Sequence, residues 1–251
     1  MRVVAIGCGA SVPDGRSAGP CFWIEGDGFR LLADSGPGSL VSLARHVPAW
    51  TAVSHVFISH FHLDHIVELP AILFALKHAE SGRADPLEIL GPKTTLALLQ
   101  GWADAVRYPF LDLPFGVSVR EIEPERIHRL GPGATLRVLS TPHTEESLAL
   151  RIDERGSSVG YTSDTGPSPD LAPFLEGCDL LVADCSLEEP AEGRGHLSIP
   201  EAADLAIRSG ARRLLATHLF PGLDPGDVER RLRSILGPGA RVARDGMSID
   251  V

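Results

Sequence analysis

The run His55-Val56-Phe57-Ile58-Ser59 leads straight into His60-Phe61-His62-Leu63-Asp64-His65. The first five residues, rich in β-branched and aromatic side chains, predict a strand. The next six hold three imidazoles and a carboxylate. On an extended or turning backbone His60 and His62 point the same way, because side chains alternate with period two. Asp64 and His65 then reach a second point a few ångströms away. Imidazole and carboxylate are suitable ligands for Zn²⁺. A hydrated, histidine-rich loop is the bland alternative. The apolar flanks Val56-Phe57-Ile58 and Ile66-Val67 oppose it, since they would bury the loop, and buried polar groups need partners.

Further along the chain, three residues fit as distant ligands. His143 follows the expected strand Thr135–Leu139, Asp164 follows Ser157–Tyr161, and His218 follows Arg213–Thr217. A lone histidine is most often structural. Four strand ends that each deliver His or Asp are different, because one rim of a sheet would carry them all. Asp34, at the end of the expected strand Phe29–Ala33, reads either as a turn-forming residue or as an acceptor that holds a ligand histidine. His46, His55, His78 and His128 lack strand-end placement and read as structural or solvated. Arg208, Arg212 and Arg213 read as a solvated face.

Around these points the pattern predicts strands at Val3–Ile6, Cys21–Glu25, Pro86–Leu90, Val117–Ile122, Arg126–Leu130, Leu148–Ile152, Leu180–Asp184 and Met247–Val251. Helices are expected at Ser39–His46, Leu69–Glu80, Thr94–Arg107, Ser198–Ser209 and Asp227–Leu236. Ser198-Ile199-Pro200-Glu201 fits a capping box. Strands with few helices, then strands alternating with helices, predict an α/β fold of two mixed sheets with helices outside. No repeat, low-complexity tract or linker is visible, so a single domain over 1–251 is expected.

Composition narrows the function classes. Hydrophobic residues make up 43% and charged residues 22%, values of an ordinary globular chain. The net charge is −10, and only two of the 23 basic residues, Lys77 and Lys93, are lysines. No extended nucleic-acid surface and no anionic-membrane surface is expected from that balance. No apolar run reaches the roughly 18 residues of a membrane span. Cys8, Cys21, Cys178 and Cys185 are far apart with no C-x-x-C, which reads as free thiols in a cytoplasmic protein. Gly7-x-Gly9 lacks the third glycine of a dinucleotide loop, and no G-x-S-x-G is present.

The H-x-H-x-D-H motif with the ordered series His143, Asp164 and His218 resembles the metallo-β-lactamase superfamily over almost the whole chain. The resemblance implies an αββα sandwich of two mixed β-sheets flanked by helices, with a two-metal site at one edge. It implies that His60, His62 and His143 bind one ion, that Asp64, His65 and His218 bind the other, and that Asp164 bridges both. The ions would be Zn²⁺, with Mn²⁺ or Fe²⁺ as alternatives. The second motif residue is His rather than Glu, which disfavours the oxygen-reducing di-iron branch. Gly7-Cys8-Gly9-Ala10-Ser11-Val12-Pro13, the strand ending Leu90-Gly91-Pro92, and Gly195-His196-Leu197-Ser198 are similar to the ribonuclease Z-like branch. There His196 would be an extra catalytic histidine. The chain departs from true ribonuclease Z in one respect. About twenty residues separate His143 from Asp164, room for one hairpin and none for a tRNA-gripping arm.

The expected activity is hydrolysis of a small or nucleotide-like phosphodiester, an anionic substrate. Two ions ~3.5–4 Å apart lower the pKa of a shared water toward 7 and clamp the attacked phosphoryl oxygens. Asp64 would orient the resulting hydroxide and act as base. His196 would stabilise charge or protonate the leaving oxygen. The helix after His196 would offer free N–H groups to a phosphate. The alternatives are a lactone, thioester or sulfate ester hydrolase on the same site, true tRNA 3′ processing, and a metal-binding module without hydrolysis. A homodimer is a family-level expectation.

Overall fold

Val3 and Ala5 face one apolar cluster, while Val4 and Ile6, one residue out of phase, face another. The same alternation recurs at Leu180 and Val182 against Leu181 and Ala183. Strands buried on both faces read as continuous apolar runs, and they require a layer on each side. The structure, a computed structural model, describes residues 1–79, 85–124 and 126–251.

In chain order the first half supplies β1 (Arg2–Gly7), β2 (Cys21–Gly26), β3 (Phe29–Ala33), α1 (Ser39–His46), β4 (His55–Phe57), α2 (Leu63–Ile66), α3 (Leu69–His78), β5 (Leu87–Gly91), α4 (Thr95–Val106) and β6 (Val117–Glu121). The second half supplies β7 (His128–Gly131), β8 (Ala134–Ser140), β9 (Leu148–Glu154), β10 (Ser157–Tyr161), α5 (Leu171–Phe174), β11 (Leu180–Asp184), α6 (Ile199–Ser209), β12 (Leu214–Thr217), α7 (Pro225–Leu236), β13 (Ala240–Val242) and β14 (Ser248–Asp250). Two seven-stranded mixed sheets result. One has the order β14-β1-β2-β3-β4-β5-β6, the other β13-β12-β11-β10-β9-β8-β7.

Phe22, Phe57, Leu136, Leu150 and Tyr161 fill the layer between the sheets. Trp23, Leu43, Leu73 and Leu99 pack helices α1, α3 and α4 against the first sheet. Ala202, Leu205 and Leu232 pack α6 and α7 against the second. The αββα expectation holds. The expected helix Leu69–Glu80 is observed as Leu69–His78, and Glu80 lies outside the described residues. No helix among the described residues is long and apolar enough to cross a membrane. All four cysteines are buried and unpaired.

Topology places the site. Strands β3, β4, β5 and β6 run parallel, as do β10, β11, β12 and β13. Ligands of open parallel sheets bind beyond the carboxyl ends of such strands. Here the carboxyl ends of both sheets meet at one edge. Leu148 donates its N–H to the Ser59 carbonyl there, and His218 donates to Cys8.

Candidate metal centre

His60 lies three residues past the end of β4 and is fully buried. His62 stands at the start of α2 with extended backbone (φ −63°, ψ 141°), and Asp64 and His65 lie on that helical turn. This single turn delivers the second pair of side chains; the sequence reading had a turning backbone without a helix. It is braced by the segment after β3. Ser35 donates its N–H to the His65 carbonyl, and Gly36 approaches so closely that a Cβ there would stand 2.0 Å from the Asp64 carbonyl oxygen.

Asp164 and His218 arrive from the second sheet, and His143 from the loop after β8. Ser163 (φ 52°) and His218 (φ 62°) both hold left-handed backbone, as does Asp34 (φ 62°) on the facing sheet. Such conformations cost ~1–3 kcal/mol each and persist only where the surroundings enforce them. All three lie within one residue of, or in contact with, the same cluster.

The seven expected ligands converge. One ligand atom from each of His60, His62, His143 and Asp164 lies within 4.8 Å of the others, and the same holds for Asp64, His65, Asp164 and His218. Asp164 belongs to both groups. Four histidines turn Nδ1 outward to a protein partner: His60 to Ser59 Oγ (3.0 Å), His65 to Asp34 Oδ2 (2.8 Å), His143 to the Gly195 carbonyl (2.9 Å) and His218 to Ser186 Oγ (2.9 Å). Their Nε2 atoms point inward. His62 differs and brings Nδ1 within 3.0 Å of His143 Nε2.

Electrostatics favour a cation. Burial opposes charge on Asp164, yet the imidazoles of His218 and His65 hold its pKa well below the usual carboxylate range. Burial also opposes charge on Asp64, and His218 and His65 outweigh it in the same direction. Desolvation pushes His60 and His143 down. On His65 and His218 the neighbouring carboxylates outweigh burial and raise the pKa. The Nε2 atoms of His60 and His65 are buried without a hydrogen-bond partner. Orphaned polar atoms of this kind are costly. Imidazole nitrogens without a hydrogen-bond partner beside ionised carboxylates fit a divalent metal ion.

Beside this cluster stands His196. Its Nδ1 is 2.8 Å from Asp184 Oδ2, and its ring lies 4.8 Å from that of His143 and 5.4 Å from that of His218. Asp184 also accepts from the Thr165 N–H (3.1 Å) and from the Ser186 N–H and hydroxyl.

Two sequence expectations need correction or completion. The N-terminus of α6 has no donor free for a phosphate. The Ile199 N–H donates to Leu187, position 200 is proline, the Glu201 N–H is taken by the Ser198 side chain, and the Ala202 N–H by the Ser198 carbonyl. The capping box closes the site that was expected to be open. Asp184, Ser59 and Ser186 were not singled out from sequence. Asp184 ends a strand as Asp164 and His218 nearly do, and that placement was the available signal. Asp34 fulfils both of its readings at once, with φ 62° and a bond to His65. Of the three arginines read as a solvated face, Arg208 and Arg212 pair with Asp204 and Asp179, while Arg213 donates to the carbonyls of Asp179 and Asp250.

Residues 29–219 match the beta-lactamase superfamily domain, and the chain belongs to that family. Among curated proteins it is 29% identical over 247 residues to a ribonuclease Z of Mycobacterium sp. (strain KMS), covering 90% of this chain and 86% of that one. It is 28% identical over 249 residues to the "Probable metallo-hydrolase YhfI" of Bacillus subtilis (strain 168), covering 98% of each. The crystal structure of the metallo-beta-lactamase fold protein YhfI superposes with a TM-score of 0.85 over 99% of both chains at 26% identity. Human tRNase Z, short form, superposes at 0.78 over 100% of this chain and 99% of that one with 21% identity, a likeness of fold. Family and geometry together indicate a metal-dependent hydrolase.

Proposed function

We propose that the chain is a two-metal phosphodiesterase for small or nucleotide-like phosphodiesters. In this reading His60, His62 and His143 hold one ion, Asp64, His65 and His218 the other, and Asp164 both. When bound, the pair, zinc in this reading with manganese or iron as alternatives, supplies Lewis acidity that lowers the pKa of water and neutralises phosphoryl oxygens. Asp64 orients the attacking water and accepts its proton. His196 carries a proton on Nε2 toward the leaving oxygen, while Asp184 fixes the ring through Nδ1.

The Asp184–His196 bond at 2.8 Å is the observation that carries the reading. A phosphodiester already carries one negative charge and gains more on attack. A positioned proton carrier beside a cation centre answers that charge and the poor alkoxide leaving group together. The span between His143 and Asp164 supports a small substrate. It holds only the hairpin of β9 and β10, with Arg155 and Gly156 at its turn.

Hydrolysis of bis(p-nitrophenyl) phosphate, a lactone and nitrocefin, measured side by side with and without added Zn²⁺ or Mn²⁺, tests the proposal. Metal-dependent cleavage of the diester in clear preference to the other two is expected. Preference for the lactone or nitrocefin would overturn it.

A further inference from the structure

Asp34 sits at the end of β3 on no metal-ligand position, yet four donors converge on its buried carboxylate. Oδ1 accepts the Ser59 N–H at 2.8 Å. Oδ2 accepts the Ser59 hydroxyl at 2.9 Å, the Tyr161 hydroxyl at 2.8 Å and His65 Nδ1–H at 2.8 Å. Tyr161 comes from the opposite sheet, three residues before Asp164, and is itself buried.

The proton count within this network has one solution. A serine hydroxyl has a single proton. Asp34 cannot donate when ionised, so the 2.9 Å contact requires that Ser59 spend its proton there. The Ser59 oxygen then faces His60 Nδ1 at 3.0 Å as an acceptor. His60 therefore carries its proton on Nδ1 and leaves Nε2 bare. His65, in the neutral form that a metal ion requires, is placed in the same tautomer by direct contact with Asp34. Both Nε2 atoms are the buried atoms without a protein hydrogen-bond partner. His60 belongs to one ligand group and His65 to the other.

We propose that Ser59 is a positioning residue that relays the Asp34 carboxylate to His60, so that one carboxylate sets the tautomer and ring orientation of a ligand histidine in each of the two ion sites. Tyr161 donates to the same carboxylate from the facing sheet. The inference rests on the two-ion reading above and adds to it how the two halves share one anchor. Partners of this kind change metal affinity by about 10–100-fold when removed.

The experiment is a Zn²⁺ titration of the full-length protein against a chromogenic chelator, with ¹⁵N-histidine spectra of the zinc-loaded form and thermal melts of the metal-free form. Ser59→Ala should weaken one of two ions by about 10–100-fold, leave the other within about threefold, and remove one of the hydrogen-bonded Nδ1–H signals. Ser59→Thr, which keeps the hydroxyl, should restore both the affinity and the signal. Asp34→Asn, whose side chain tolerates φ > 0, should weaken both ions, because one uncharged amide oxygen cannot replace the two carboxylate oxygens that now take four donors. Unchanged affinities in Ser59→Ala would overturn the relay. So would an equal loss at both ions that tracks a lowered melting temperature, which is the mark of a merely structural serine. Loss of a single ion in Asp34→Asn would overturn the shared anchor. Fewer than two ions on the wild-type protein would defeat the two-ion reading itself, and this inference with it.

Discussion

Asp184 and His196 stand 2.8 Å apart at the ends of β11 and of the loop before α6, the His196 ring stacks on that of His218, and ligand atoms of all three lie within 4.8 Å of one another. The bond occupies Nδ1, and in the proposed function Nε2 is the atom that serves the substrate. His196→Ala should therefore keep both metal ions and lower kcat by ~10²–10⁴-fold, with a smaller change in KM. The defect should be larger on an ester with a ribose-hydroxyl leaving group than on one with p-nitrophenolate, which needs little protonation. Metal content, melting temperature and turnover on one preparation decide the matter. Loss of an ion would make His196 a ligand, and normal kcat would make it a packing residue.

Elemental analysis of protein purified without chelator should give close to two metal ions per chain. His62→Ala or Asp164→Ala should lower that content and abolish hydrolysis, and chelation of the wild type should do the same reversibly. Full activity in either variant would sink the ligand assignment.

Processing of precursor tRNA should be poor. The single β9–β10 hairpin and the net charge of −10 leave little to grip a polyanion. Accurate 3′ trimming at rates well above those on small diesters would restore the ribonuclease reading.

Gly36→Ala should damage the centre from outside it. A methyl group there meets the Asp64 carbonyl at 2.0 Å, and backbone cannot yield cheaply. Overpacking of this kind costs ~1–3 kcal/mol. A fall in melting temperature together with weakened metal binding is expected. A variant with wild-type values for both would refute the close fit between this turn and α2.

Alkaline pH should weaken the fold. Burial pushes the Cys178 thiol up to about 11, and burial raises Cys8, Cys21 and Cys185 in the same direction. Below the ordinary thiol value of about 8.5 both folded and unfolded chains hold the proton, so this contribution is fully present. Between there and 11 only the unfolded chain releases it, and stability declines as pH rises. Denaturant midpoints from pH 8 to 11 should fall, and should fall less steeply in Cys178→Ala. An identical slope in that variant would contradict the assignment.

The candidate cluster was legible because its first half is local and its second half repeats one rule. His60, His62, Asp64 and His65 fall within six residues, and His143, Asp164 and His218 each follow an apolar run. What escaped were residues whose role exists only across the fold. Ser59 and Ser186 are unremarkable in a sequence until an imidazole stands opposite. Helix α2 spans four residues, too short for any period to show, and β13 spans three between glycines, prolines and arginines. The capping box of Ser198 and Glu201 was readable, but its consequence, a helix end with no donor left over, follows only once Leu187 is seen to take the Ile199 N–H.

The centre also has a mechanical side. His60, His62, Asp64 and His65 hang from one sheet, while His143, Asp164 and His218 hang from the other, and each sheet is drawn almost entirely from one half of the chain. In the two-ion reading each ion takes ligands from both sheets, so each would be a rivet through the sandwich. It grips the assembled pair of halves and has no equivalent purchase on the unfolded chain. Each tenfold excess of metal over its dissociation constant then adds about 1.4 kcal/mol to the work of pulling the sheets apart. On that reading metal supply would set how long the molecule lasts as well as how fast it works.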